Sequence, residues 1–189
     1  MKFEEEIAQF YKENNIAIIN TCESNKTVDF LIENVFIDAK EKTKTSNHWT
    51  KNIPAKYIII LDELSVMRCL NCGLQSGFVI KDNINKIYYF MPIIDVIRAK
   101  KELVNRPIED KKGKVHLKGK WILDLRDFKS CTCLYAIHDE IKKYSKMNLL
   151  QTNKIPNAPV KGSIRNWNRR QQDTYNYRTL NANTETKKK

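Results

Sequence analysis

The chain has 189 residues, 41% of them hydrophobic, which is enough for one packed core and includes no apolar run near the roughly 20 residues of a membrane span. The net charge of +12 and the pI of about 9.4 predict a nucleic-acid partner rather than a membrane surface, because no strongly amphipathic basic helix is present. Five cysteines, an odd number, and the lack of an apolar signal core at the start argue against a secreted, disulfide-framed protein, so we expect a soluble cytoplasmic one.

The first predicted elements are a helix and a strand. Phe3–Asn14 places apolar side chains at helical spacing, with acids in the first turn that complement the helix dipole. Ile16–Asn20 is typical of a buried strand, and a polar connection follows it. Both elements lead into the segment that carries the predicted chemistry.

The central motif is a predicted β-hairpin. Val28–Ile32 and Val35–Ala39 are rich in β-branched and aromatic residues, and Asn34 between them tolerates the positive φ of a two-residue turn. Such a turn fixes the register of the strands, and with it the face on which each side chain lies. The wholly apolar face, which can be buried, carries Phe30, Ile32, Val35, Ile37 and Ala39.

Three charged side chains share the opposite face of this hairpin. In the predicted register Asp29 faces Asp38, and directly opposed residues have Cβ atoms about 5 Å apart, where like charges are destabilising. A hard divalent cation, Mg²⁺ or Mn²⁺, would compensate them. Lys40 lies two residues beyond Asp38 on the same face, within reach of a phosphate, and this set of groups suits phosphodiester hydrolysis. The alternative is a solvated hairpin with ordinary surface charges.

These residues resemble the D…(D/E)xK motif of the PD-(D/E)xK nuclease superfamily, with Asp29 on one strand and Asp38-Ala39-Lys40 on the next. The longer run Phe36–Ser46 is similar to the corresponding segment of RecU-type Holliday-junction resolvases, which more often have Glu where this chain has Asp. Val28 stands where many superfamily members have proline. The resemblance covers about half of the chain, roughly Phe3 to Pro92.

The resemblance implies an α/β fold with a restriction-endonuclease-like core, in which a mixed central sheet of four to five strands is flanked by helices. It also implies that Glu4 on the first helix joins Asp29, Asp38 and the Ala39 carbonyl as ligands of Mg²⁺, the two glutamates after Glu4 being alternatives. Lys40 would then orient or deprotonate the attacking water.

The activity expected from these features is Mg²⁺-dependent endonucleolytic hydrolysis of DNA. Similarity to resolvases favours branched DNA as the substrate, a homodimer that cuts two strands symmetrically, and a role in recombination or repair. A sequence-specific or nicking endonuclease of the restriction or mobile-element type is one alternative. A non-catalytic, basic DNA-binding protein is the other.

The segment after the hairpin is polar and basic, and we predict that it contacts the DNA backbone. Lys42, Lys44 and Lys51 supply positive charge where the chain leaves the active strand. Trp49 among them is suited to stack on a base; packing of this side chain within the loop is the alternative.

The rest of the predicted domain alternates helices and strands. Helical spacing and a proline at the first helical position favour a helix over Pro54–Asn71, although the run Ile58–Leu61 also suits a strand. The further predicted elements are strands Ser76–Lys81 and Lys86–Met91, a helix Pro92–Val104, a charged loop Asn105–Lys114, a hairpin Val115–Leu125 and a helix Leu134–Met147.

The composition changes near residue 150, which predicts a nuclease-like domain over residues 1–150 and a basic, disordered tail over residues 151–189. The tail has few aliphatic side chains to bury and interleaves basic with aromatic residues. We therefore predict a DNA-binding arm that uses Arg165, Arg169 and Arg170, whereas a solubilising tail with no part in binding is the alternative.

Two pairs of cysteines have the spacing of metal ligands. Cys69 and Cys72 form a CxxC, and Cys131 and Cys133 form a CxC that could complete a four-thiolate, structural Zn²⁺ site. The alternative is that Cys69 faces the core and that the others are incidental thiols, because free cysteine is often buried.

Overall fold

The computed structural model describes residues 2–21, 28–46, 49–109 and 115–152. Their α/β architecture, a mixed sheet flanked by helices, confirms the predicted fold class. The helices are α1 (Phe3–Glu13), α2 (Glu63–Asn71), α3 (Ile93–Arg98) and α4 (Leu134–Thr152). The strands are β1 (Ile18–Asn20), β2 (Phe30–Ile32), β3 (Val35–Lys42), β4 (Ile58–Asp62), β5 (Ser76–Asp82), β6 (Ile87–Pro92), β7 (Lys101–Glu109), β8 (Val115–Asp124) and β9 (Lys129–Cys131).

Six of the described strands form the main sheet, in the order β1-β2-β3-β5-β6-β9. Strands β3 and β5 are parallel, and the other neighbours are antiparallel. The prediction of four to five strands was therefore too low. Because β3 lies inside the sheet, with β2 on one side and β5 on the other, its side chains project from a backbone that is held on both edges.

The predicted hairpin is confirmed, including its register. Phe30 pairs with Ile37 and Ile32 pairs with Val35, as the two-residue connection requires. Glu33 and Asn34 both have positive φ, 49° and 62°, which matches the twist of a tight hairpin turn. The five apolar residues of the predicted inner face are at most 2% exposed. Strand β2 begins later, and β3 ends later, than predicted.

The main sheet has a hydrophobic core on each face. On one face, the apolar sides of α1 and α4 pack on the inner face of the hairpin. On the other face, α2, α3 and the strands β4 and β8 pack on side chains such as Phe78 and Ile80 of β5. Side chains alternate along a strand, so Asp38 and Lys40 project from the face opposite to the one that carries Ile37 and Ala39.

A second sheet of three described strands, in the order β4-β8-β7, was not predicted. The helix expected over Pro54–Asn71 is wrong in its first half, because Ile58–Asp62 is a strand paired antiparallel with β8. The run of β-branched residues suits a strand that is covered on both faces, and pairing with residues 120–124 outweighs its helical spacing. The helix begins only at Glu63.

The chain after Pro92 also differs from the prediction. The helix expected to reach Val104 ends at Arg98, and β7 follows it almost at once. Strand β8 is one continuous strand rather than a hairpin of its own. It pairs antiparallel with β7, and the pairing begins with Lys101 opposite Leu123. The charged loop predicted for Asn105–Lys114 is thus partly strand, and residues 110–114 lie outside the described residues.

Helices α1 and α4 match the prediction, whereas strand β1 does not. Strand β1 lies at the edge of the main sheet and leaves Ile19 59% exposed, so the prediction of a buried strand was wrong. Helices α1 and α4 are confirmed, with α4 buried through Leu134, Ile137, Ile141 and Tyr144. No helix among the described residues is long and apolar enough to cross a membrane.

Candidate active site

Asp29 is held in place by the backbone of the strand that it faces. Its own N–H donates to the carbonyl of Ile37 (3.0 Å), and its carboxylate Oδ2 accepts a hydrogen bond from the N–H of Ala39 (2.7 Å). The Asp29 carboxylate is therefore fixed beside β3 before any ligand binds.

Asp38 and Lys40 form an ion pair on the same face of β3. Lys40 Nζ donates to Asp38 Oδ1 at 2.9 Å, the Asp38 side chain is 6% exposed, and that of Lys40 is 35% exposed. The second oxygen, Asp38 Oδ2, is buried and has no hydrogen-bond partner among the described residues. A buried carboxylate oxygen without a donor is costly, and a cation at this position would satisfy it.

The electrostatics of Asp38 follow from its surroundings. Burial raises the pKa of Asp38 from its ordinary 3.8 to about 6; the Lys40 ammonium opposes this rise, and the neighbouring Asp29 carboxylate adds to it. Burial lowers the pKa of Lys40, but the Asp38 and Asp29 carboxylates outweigh burial and raise it overall. Lys40 is therefore an ammonium at neutral pH, which favours orientation and charge stabilisation over its use as a base.

We predict that Asp38→Asn stabilises the metal-free protein at neutral pH. Since the pKa of Asp38 is higher in the folded state, the stability that its proton contributes is fully present below about pH 4 and is lost as the pH rises through about 6. The variant's advantage in unfolding free energy should thus grow from near zero at pH 4 to roughly 2–3 kcal/mol above pH 7. Urea unfolding in EDTA across this pH range measures it, and a constant difference would contradict the burial of a charged Asp38.

The donors at this site suit Mg²⁺ or Mn²⁺. Asp29 and Asp38 offer hard carboxylate oxygens on one face of the hairpin, and one oxygen of Asp38 lacks a donor in the described ranges. The Ala39 carbonyl remains a predicted ligand. Within the described part of the chain there is no group of three or more His, Cys, Asp or Glu that could hold a metal, so waters or a substrate phosphate would complete the coordination of such an ion.

The structure does not bring Glu4 to the other acids. Helix α1 packs through Phe3 and Ile7 on the face of the sheet opposite to the one that carries Asp38. The acid of α1 that reaches the sheet is Glu6, which accepts hydrogen bonds from Lys81 Nζ and from the Tyr88 hydroxyl (2.9 Å to the latter). The described residues do not group Glu4 with Asp29 and Asp38 as a three-acid cluster, so its role as a metal ligand stays a prediction.

The structure does not bring together the four cysteines of the predicted zinc site. Cys69 lies on the buried side of α2, whereas Cys131 lies in the core on the other face of the main sheet, so the sheet separates these two cysteines. Cys72 is half-buried and Cys133 is exposed. Burial and the nearby Asp38 carboxylate raise the pKa of the Cys69 thiol, which keeps it protonated beside the acidic pair.

The predicted DNA contacts divide into three groups. Lys42 is buried and pairs with Asp82 (3.1 Å), so it does not present a charge to a ligand. Lys44 and Lys51 are exposed, as DNA contacts would be. Trp49 is half-buried and carries the guanidinium of Arg106 over its ring, 3.6 Å from the centroid. The predicted contacts Arg165, Arg169 and Arg170, in the tail, lie outside the described residues.

Sequence reasoning missed Arg106 because its strand was taken for a loop. Its neighbours across the ladder, Lys118 and Lys120, were assigned to a separate hairpin. The available signal was the excess of basic residues between Lys100 and Lys120, which points to a charged element once the two strands are recognised as partners.

No protein-family model matches this chain, and no curated protein sequence does. Among solved structures, the chain is similar to that of D212, a nuclease from a fusselovirus, with 12% sequence identity and a TM-score of 0.41. The match covers 77% of this chain and 89% of that one. At this identity and TM-score the likeness assigns no function, and the inference that follows depends on the residues of the site.

Proposed function

We propose that this protein is a Mg²⁺- or Mn²⁺-dependent DNA endonuclease. The observation that carries the proposal is the buried Asp38 carboxylate: one oxygen accepts a hydrogen bond from Lys40, the other has no donor within the described part of the chain, and Asp29 is fixed beside it. A second acid beside the buried Asp38 carboxylate is costly, and a divalent cation explains why both acids are retained together with a lysine.

Each residue of the site has a distinct part in the proposed reaction. Asp29 and Asp38 hold the cation, which when bound polarises the phosphate and makes the attacking water more acidic. Lys40, charged at neutral pH and partly exposed, donates to a phosphate oxygen or to the water and offsets the negative charge that grows in the transition state. The buried β3 backbone keeps these groups in position.

Purified protein with Mg²⁺ and a set of labelled DNA substrates tests the proposal. A four-way junction, a linear duplex and single-stranded DNA separate the resolvase function, which the hairpin's resemblance favours, from that of a duplex or nicking endonuclease. Metal-dependent products with any of the three support the nuclease proposal, and their pattern assigns the substrate. Salt-sensitive binding to DNA without metal-dependent cutting would instead identify a non-catalytic binding protein.

We predict that Mg²⁺ or Mn²⁺ stabilises the folded protein without any DNA. At concentrations 10 to 100 times the dissociation constant, binding to the folded state alone should raise the Tm by roughly 3–8 °C. Asp29→Asn and Asp38→Asn should each abolish this shift, because each removes a charged ligand.

Glu4→Gln provides the matched control for this measurement. It removes one acidic charge from α1, on the opposite face of the sheet, and it should leave the shift in Tm unchanged. A shift that survives both aspartate substitutions, or one that disappears with Glu4→Gln, would contradict the assignment of the ligands.

A further inference from the structure

Two cations oppose each other across the β7–β8 ladder. Arg106 pairs directly with Lys118, which puts their Cβ atoms about 5 Å apart on one face, where like charges are destabilising. Within the described residues, no ion pair includes either of them. We refer to Arg106 and Lys118 as the cationic pair; an uncompensated pair of this kind is suited to bind an anion.

Two other charged side chains on this face, Lys120 and Glu102, have partners of their own. Lys120, the next residue along this face of β8, pairs with Asp62. Glu102 lies on the same face of β7 as Arg106, four residues before it. It accepts hydrogen bonds from Thr50 Oγ1 (2.6 Å) and Asn52 Nδ2 (2.8 Å). Glu102 keeps its negative charge, but this separation along β7 puts it roughly 13 Å from Arg106. Among the described residues, neither Asp62 nor Glu102 forms an ion pair with the cationic pair.

The guanidinium of Arg106 packs on an aromatic ring. It lies over the ring of Trp49, 3.6 Å from the centroid, an arrangement that orients the guanidinium plane and leaves its in-plane N–H groups to donate sideways. Lys118 opposite is exposed. A guanidinium fixed in this way is preorganised for a phosphate, because fewer rotamers are lost on binding.

The loop that carries Trp49 connects the cationic pair with the catalytic strand. It starts after Lys42, at the end of the strand that carries Lys40, and the bonds of Thr50 and Asn52 to Glu102 attach it to β7. Lys51 lies exposed between these two attachment points. The hydrogen bonds to Glu102 place Lys51 of the loop beside the β7–β8 strands, which carry Arg106 and Lys118.

We propose that Arg106 and Lys118 bind the sugar-phosphate backbone of double-stranded DNA, and that Lys51 extends the same surface. Arg offers a planar fork of donors that matches a phosphate, and Lys adds a point charge. A two-stranded ribbon also has dimensions that fit along a DNA groove. The choice of DNA as the polyanion rests on the proposed nuclease function; the anion site itself rests on the cationic pair.

The test uses full-length protein in EDTA, so that binding is measured without cleavage. Fluorescence anisotropy of a labelled duplex, repeated over a range of KCl concentrations, gives the slope of log Kd against log salt. For Arg106→Gln/Lys118→Gln the slope should fall by about two phosphate contacts, and Kd at low salt should weaken roughly tenfold or more. Lys118→Gln alone, which disturbs no described contact, should reduce the slope by about one.

The control is Lys12→Gln/Lys142→Gln, which removes two exposed charges from α1 and α4, the helices on the opposite side of the main sheet. Its slope should match that of the unmodified protein. An unchanged slope for Lys118→Gln, or an equal fall in the control, would overturn the proposed binding surface even if the protein cuts DNA. Conversely, absence of cleavage by the unmodified protein in Mg²⁺ contradicts the nuclease proposal and leaves the salt dependence as evidence for the surface.

Discussion

Lys40→Ala should lower the rate of metal-dependent DNA cleavage by about 10³-fold or more while leaving affinity for DNA largely intact. A positioned charged donor at the reacting phosphate contributes on this scale, and Lys40 is charged at neutral pH because both neighbouring carboxylates favour its ammonium form. Single-turnover cleavage at saturating protein, together with duplex binding in EDTA, separates the loss of rate from any loss of binding.

Lys81→Ala is the matched control for this result. Lys81 lies on the neighbouring strand β5 and is likewise a partly exposed lysine in an ion pair, with Glu6 of α1. It projects from the opposite face of the sheet. Its substitution should leave the cleavage rate near that of the unmodified protein. Full activity of Lys40→Ala, or an equal loss in Lys81→Ala, would exclude the proposed role of Lys40.

Lys42→Ala should lower the free energy of unfolding by about 3–5 kcal/mol, because it leaves the buried Asp82 carboxylate without its cation. Lys42 Nζ donates to Asp82 (3.1 Å) and to the carbonyl of Lys56, and the Lys42 side chain is 4% exposed. Asp82 also accepts from the backbone N–H of Ile84 (2.9 Å) and from Asn85 Nδ2 (2.7 Å), so the loss of charge compensation affects the whole turn after β5.

Lys44→Ala gives the contrast, two residues further along the chain. Lys44 is exposed, so its removal should leave stability unchanged and weaken DNA binding with a smaller salt slope. Urea unfolding and anisotropy on both variants make the comparison. A stable Lys42→Ala protein that binds DNA weakly would reverse this division and restore Lys42 as a DNA contact.

The hairpin that carries the site was predictable because its determinants are local. The turn residues, the alternation of the strands and the position of the acids all lie within a few residues of one another, and together they specify the register. The burial of Ile37 and Ala39 and the adjacency of Asp38 and Lys40 follow from that register alone.

The features that sequence reasoning missed depend on partners far along the chain. Ile58–Asp62 is a strand because it pairs with residues 120–124, and local periodicity contains no information about that partner. Lys42 is buried because it pairs with Asp82, which lies 40 residues further along the chain. The separation of Glu4 from the two aspartates has the same origin, since the face of the sheet on which α1 packs is decided by the whole core.

Asp29, Asp38 and Lys40 all come from one short supersecondary unit, and this has a consequence for how the chain can change. Bringing these groups together costs only the closure entropy of a small loop, so the reactive centre does not depend on the length of the segments outside it. Under the proposed function, insertions after β3 or changes of shape in the second sheet would alter which substrate the protein binds without moving the reacting groups. Catalysis and substrate selectivity would then depend on different parts of one fold.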